Sequence, residues 1–139
     1  MIIGFDLDGV IAPNSPADLP FVRFALESLS KRPLPSAVQT LRQMARQNHR
    51  IIIVTARPRW VLLPTHAWLF LNRVPYHALY VVGQWRNKLH ILKNVGVHVY
   101  FDDRQKNIDY LSQNGVNARL FEGWSHIVKG LKDGDFCFI

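Results

Sequence analysis

Five short apolar runs, at 1–5, 51–54, 78–82, 97–101 and 118–121, recur along the chain, and helix-patterned stretches separate them. Each run is too short for a helix. Ile51 to Val54 is wholly β-branched, which suits a strand buried on both faces. Between the runs, Ser36 is placed to cap a helix in which Val38, Leu41, Met44 and Ala45 share a face. A helix starting near Pro64 carries Trp68, Leu69 and Leu71, and Asn87 to Val95 forms another that Gly96 stops. Ile108 to Gln113 lies on a helix closed by Gly115, and Ser125 opens a last short one. Asp18 is expected to cap a short early helix with Phe21, Phe24, Ala25 and Leu29 on one face. Strands alternating with helices predict right-handed β-α-β units: an α/β, three-layer Rossmann-like fold around a central, mainly parallel sheet.

Composition narrows the setting. A chain of 139 residues, 48% of them apolar, has the size and core of one domain spanning 1–139. Cys137 is the single cysteine, so no intrachain disulfide can form. The start M-I-I-G-F-D-L-D reads as a strand, not a secretory leader, and the greasy stretch from Trp60 to Leu71 is too short to span a bilayer. A soluble, cytoplasmic protein without a membrane partner is expected. The 17 Lys and Arg against 10 Asp and Glu leave a formal charge of +7, which favours anionic partners. The cations are scattered, so an indifferent basic surface explains the charge equally well.

In parallel sheets, ligands bind at the carboxyl ends of the strands. Four of these ends carry polar residues here: Asp6 with Asp8, Thr55 with Arg57, Gly83 with nearby Lys88, and Asp102 with Asp103. Asp6 and Asp8 stand on one side of a continued strand, and Gly9 lets the chain turn sharply. Paired carboxylates invite a cation or a shared proton; the plain alternative is two solvated acids at a strand end. With Asp102 and Asp103 they make an oxygen-rich set suited to Mg²⁺. Asp102 and Asp103 could instead start the next helix, which explains one acid better than two. Thr55 and Arg57 suit a phosphate oxygen, although a Thr at a strand end is ordinary. Lys88 opens a helix, where the macrodipole disfavours a cation unless it reaches an anion; a solvated surface lysine is the alternative. The six histidines show no zinc spacing and no pairing with a nucleophile.

The order F-D-L-D-G-V, I-I-I-V-T-A-R, a lysine at a helix start, and V-Y-F-D-D-R closely resembles the haloacid dehalogenase (HAD)-like superfamily of phosphohydrolases, over about 2–121. The resemblance implies an HAD-like phosphatase that depends on Mg²⁺. Asp6 would attack phosphorus and form an aspartyl-phosphate, and Asp8 would be the acid and then the base. Thr55 and Lys88 would hold the phosphoryl group, with Gly9, Ala56 and Arg57 also binding substrate; Lys93, deeper in the same helix, is the weaker substitute for Lys88. Asp102 would bind Mg²⁺ with Asp6 and the main-chain carbonyl of Asp8, assisted by Asp103.

T-A-R-P and D-D-R-x-x-N, ending at Asn107, are loosely similar to the 5′(3′)-deoxyribonucleotidase-like branch. That branch carries a helical cap between its first two motifs. Here residues 12–35 allow only a loop and short helix in the cap position, which predicts little or no cap domain. An open site on a basic chain favours a nucleotide or a phosphorylated nucleic-acid end as substrate, with Arg57, Arg59, Trp60 and Arg104 on rim loops. Core or helix packing, ahead of stacking on a base, is the expected role of Trp60 and Trp85. The competing readings are a small sugar-phosphate phosphatase and a non-catalytic anion-binding module on the same fold.

Overall fold

The computed structural model describes residues 1–14 and 29–131. The expected helix after Asp18, most of the 12–35 insert, and the tail carrying Phe136, Phe138 and Ile139 lie outside the described residues. Five parallel strands form one sheet: β1 (Ile2–Phe5), β2 (Arg50–Thr55), β3 (Ala78–Val81), β4 (Val99–Asp102) and β5 (Ala118–Leu120). Their order is β3-β2-β1-β4-β5. The α/β reading therefore holds, and β1 is the central strand.

Alternation along the strands builds two apolar layers. Ile3, Phe5, Ile51, Ile53, Val99 and Phe101 face one way, where they meet Leu41 and Met44 of α1 (Ala37–Arg46), Trp68 and Leu69 of α2 (Leu62–Leu71), and Ile127 of α5 (Trp124–Gly130). Ile52, Val54 and Tyr100 face the other way, against Leu92 of α3 (Lys88–Val95) and Ile108 and Leu111 of α4 (Gln105–Gln113). This period of two on a sheet covered on both faces is what a buried parallel strand requires. Among the described residues, no helix is long and apolar enough to cross a membrane.

One local expectation changed. Ser36 stands at the start of α1 in a left-handed conformation (φ 67°) and its side chain makes no cap bond. Its carbonyl instead accepts from Thr40 N (3.0 Å) and Thr40 Oγ1 (2.7 Å), so a threonine one turn on secures the helix entry. α2 carries Trp68, Leu69 and Leu71 as expected, with Trp68 and Leu69 buried and Leu71 65% exposed. α4 does carry Ile108 to Gln113, and it begins at Gln105 with Arg104 between it and the acidic pair.

Trp124 pins the loop after β1. Its ring lies 5.3 Å from Phe5 and 5.4 Å from Phe121, and Nε1 donates to the Val10 carbonyl at 2.7 Å. Trp124→Phe keeps most of the packing and orphans a buried carbonyl, so it is expected to destabilise by about 1–3 kcal/mol. Chemical denaturation of the two proteins measures it. An unchanged midpoint would mean that water replaces the indole.

Candidate active site

The strand order explains where the site lies. From β1 the chain moves to β2 and β3 on one side, then returns to place β4 on the other. The carboxyl ends of β1 and β4 flank the point where the winding reverses, the place where an open α/β sheet leaves a crevice. Phe5 pairs with Phe101, and Asp6 N donates to the Phe101 carbonyl at 2.9 Å. Asp6 and Asp102 therefore leave neighbouring strands side by side.

Between them sits Lys88, the first residue of α3, 1% exposed. Its ammonium donates to Asp6 Oδ1 (3.0 Å), Asp102 Oδ2 (3.0 Å) and the Tyr100 hydroxyl (2.9 Å). Those bonds occupy the three donors of an ammonium. The expectation that a lysine at this helix start faces an anion is met by carboxylates. Lys93 instead lies exposed, near Gly115. Asp102 is held on every side: Tyr100 Oη and Asn107 Nδ2 also donate to Oδ2, at 3.1 and 3.0 Å, and Arg104 N donates to Oδ1 at 3.1 Å.

Charge does not balance in this cluster. Asp6, Asp102 and Asp103 each offer an oxygen within 4.8 Å of the others, with one ammonium among them. Burial above all, with Asp102 reinforcing it against Lys88, pushes the Asp6 carboxyl up to about 7. Burial and then Asp102 also raise Asp103. Asp102 feels the same burial, but Lys88, Asn107 and the Arg104 N–H outweigh it and hold its carboxyl low. Burial works against the Lys88 cation, yet Asp6 and Asp102 outweigh it and its value rises. Asp103 Oδ1 is buried without a hydrogen-bond partner. Three hard oxygen donors, excess negative charge and an orphaned buried oxygen fit a divalent cation of the magnesium type.

The carboxylate of Asp8 is not in that cluster, which corrects its side chain as a metal ligand. Arg57 takes it instead, with Nη2 on Oδ1 at 2.6 Å and Nε on Oδ2 at 2.9 Å. Arg57 Nη1 donates to Thr65 Oγ1 (3.0 Å), and that hydroxyl donates to the Val61 carbonyl (2.7 Å). The guanidinium expected to clasp a phosphate thus clasps Asp8. A two-point clasp fixes the plane of the carboxylate and leaves half of its roughly four acceptor sites unspent. Thr55 Oγ1, at the end of β2, accepts from Arg57 N at 3.2 Å.

Gly9 donates its N–H to the Ala12 carbonyl (2.7 Å). Its φ of 82° and the absence of a Cβ serve packing, because a Cβ there would collide with Asp103 Oδ2. Asp6, Asp8, Thr55, Ala56, Arg57 and Lys88 line one cleft of about 230 Å³, with Asn14, Pro58, Trp60, Trp85, Arg104 and Asn107. Trp60 is not core: it is 50% exposed on the cleft wall, on the rim, because the short 3₁₀ turn Arg59–Val61 turns Val61 inward. Trp85 is half-buried, its ring edge-on to Tyr110 at 5.1 Å.

Two partners escaped the sequence reading, Tyr100 and Thr65. Tyr100 sits where strand alternation demands a core residue, and only its hydroxyl distinguishes the position. Thr65 is a fully buried hydroxyl in an otherwise apolar helix turn, which is the one signal it offers.

No family model matches the chain. A Bacillus cereus protein provisionally named a nucleotidase is 29% identical over 88 residues, which are 62% of this chain and 47% of that protein. The chain thus spans about half the length of the curated relatives it matches. Among solved structures, an HAD-superfamily hydrolase of Geobacter sulfurreducens, subfamily IA, superposes with a TM-score of 0.63 at 12% identity, covering 94% of this chain and 98% of that one. The chain has the HAD-like fold. A D,D-heptose 1,7-bisphosphate phosphatase from B. bronchiseptica, solved with magnesium and phosphate, shares the fold (TM-score 0.60, 17% identity, 96% and 89% coverage). So does part of the Pnkp1/Rnl/Hen1 RNA repair complex (TM-score 0.64, 18% identity, 87% and 41% coverage). At these identities the structures speak for the HAD-like fold alone.

Proposed function

We propose that this HAD-like chain is a magnesium-dependent phosphohydrolase that works through an aspartyl-phosphate and acts on a nucleotide or a phosphorylated nucleic-acid end. The observation that carries the reading is the pairing of two differently held carboxylates in one cleft. Asp6 is buried against Lys88 and the metal-type cluster, while Asp8 is oriented by Arg57 and partly open to the cleft. We read the first as the nucleophile and the second as the acid and base.

In this reading Asp6 attacks the phosphorus and the ester oxygen leaves with a proton from Asp8. Asp8 then takes a proton from the water that cleaves the acyl phosphate, and Asp6 is regenerated. Thr55 and the backbone around Ala56 steady the phosphoryl oxygens. The Lys88 charge lies against Asp6 and offsets the negative charge that gathers there. Asp6, Asp102 and Asp103 would hold Mg²⁺, with the Asp8 main-chain carbonyl; when bound, the ion neutralises phosphoryl charge. The nucleotidase name of the Bacillus relative supports the substrate class. We also propose a single domain with little or no cap. The cytoplasm is our proposed location, on the single cysteine.

Phosphate release with and without Mg²⁺ tests this. The substrates are an aryl phosphate, a sugar phosphate, deoxynucleoside monophosphates and 3′- or 5′-phosphorylated oligonucleotides. Turnover requiring Mg²⁺ and fastest on a nucleotide or oligonucleotide is expected. Preference for the sugar phosphate would replace the substrate class, and no turnover at all would leave an anion-binding module.

The cluster also makes a thermal prediction. Asp6 is raised in the fold, so its neutral form favours the folded state, and that contribution is lost as pH rises through about 7. Asp102 is lowered, so its contribution is lost only toward acid, outside this window. Without metal, Tm is therefore expected to fall between pH 6 and pH 8. Mg²⁺ should raise it more at pH 8 than at pH 6, because the ion competes with the Asp6 proton. Equal magnesium shifts at both pH values, read by differential scanning fluorimetry, would remove Asp6 from the metal set.

A further inference from the structure

A second depression adjoins the catalytic cleft. It has a volume of about 470 Å³ and is lined by Gly83, Gln84, Trp85, Arg86 and Lys106, and it shares Ala56, Trp85 and Arg104 with the cleft. No acidic residue lines it. Arg86 and Lys106 are exposed and belong to different segments, the 3₁₀ turn Trp85–Asn87 and α4. Both are brought over one ring: Arg86 Cζ lies 5.2 Å and Lys106 Nζ 5.0 Å from the centroid of Trp85. Tyr110 braces that ring edge-on. Two cations gathered on an aromatic wall repel each other, and no carboxylate among the lining residues relieves them. The attraction of a cation to a ring face offsets part of this, and a bound polyanion would remove the rest. Gly83 leaves the floor open: a Cβ there would meet nothing closer than Arg59 Cγ at 4.0 Å.

We propose that this trough is a subsite for the sugar-phosphate backbone of a single-stranded nucleic acid whose terminal phosphate lies in the catalytic cleft. Arg104 stands at the junction, Arg86 and Lys106 hold successive phosphates, and the Trp85 wall supports a base or sugar between them. The trough deepens the phosphohydrolase reading and rests on it. It predicts that substrate length matters, because a mononucleotide fills the cleft and leaves the trough unused.

The test compares the wild type with Arg86→Glu/Lys106→Glu, and with Arg86→Gln/Lys106→Gln in case charge reversal disturbs the fold. Substrates are an aryl phosphate and phosphorylated oligothymidylates of increasing length. For the wild type, KM is expected to fall at least about tenfold from the mononucleotide to a short oligomer. Both variants should lose that gain at unchanged kcat and keep aryl phosphate turnover. The slope of log KM against log salt should shrink by about 1 to 1.5 for two lost contacts. A KM independent of length, or variants that lose aryl phosphate and oligomer turnover alike, would overturn the trough. If the wild type hydrolyses nothing, the catalytic reading fails, and fluorescence anisotropy with a labelled oligothymidylate still decides the trough. Salt-sensitive binding lost in both variants supports it, and binding that they retain refutes it.

Discussion

Asp6→Asn is expected to lower turnover of every phosphate ester by at least on the order of 10⁴-fold in the presence of Mg²⁺. An amide oxygen does not attack phosphorus, so no covalent intermediate forms. The substitution is otherwise mild. The retained oxygen can still accept from Leu7 N and Lys88, which bond Asp6 Oδ1 at 2.8 and 3.0 Å. It also removes one of the three carboxylates crowded around a single ammonium. Metal-free Tm should therefore hold or rise while activity vanishes, which separates lost chemistry from lost folding. Retention of more than about a tenth of wild-type kcat would mean that Asp6 is not the nucleophile.

Thr65→Val is expected to damage catalysis selectively, although Thr65 touches no substrate. It is fully buried and links the Val61 carbonyl to Arg57, which clasps Asp8. Removing the hydroxyl takes one partner from the Arg57 guanidinium and frees the clasp to rotate, so Asp8 loses its aim. General acid help matters most when the leaving oxygen is a poor one. Hydrolysis of an alkyl phosphate such as a nucleotide should fall about 10²-fold in kcat, and that of p-nitrophenyl phosphate less than about tenfold, with KM unchanged. Thr65→Ser should restore both, since it returns the hydroxyl. An equal loss on both substrates would reduce Thr65 to a structural residue, worth about 1–3 kcal/mol of stability. The same dependence on the leaving group is expected of Arg57→Gln.

The positions of the acids were readable because they break a pattern. Apolar strands that end on Asp6, Thr55 and Asp102 place polar groups where burial would otherwise continue, and the HAD-like motifs follow from those ends. Lys88 was readable for an electrostatic reason, a cation at a helix start that needed an anion, although the anions prove to be Asp6 and Asp102. Ser36 misled because its residue type favours a side-chain cap, whereas its left-handed backbone hands the helix entry to Thr40. Trp60 was readable as a rim residue but not as exposed, because bulk favours packing, yet a short 3₁₀ turn puts Val61 in the core instead.

What the sequence determines by itself is local: which segments are strands or helices, which faces are apolar, and which strand ends carry carboxylates. Periodicity and propensity act over a few residues, so they are legible without a partner. The tertiary structure decides the rest, because charge pairing depends on distance through space. It sets β1 at the centre of the sheet and so brings Asp6 beside Asp102. It joins residues 82 positions apart in the Lys88–Asp6 bond and 49 apart in the Arg57–Asp8 clasp. No local rule predicts that Arg57 turns to Asp8, that Tyr100 completes the ring around Lys88, or that Arg86 and Lys106 meet over one tryptophan.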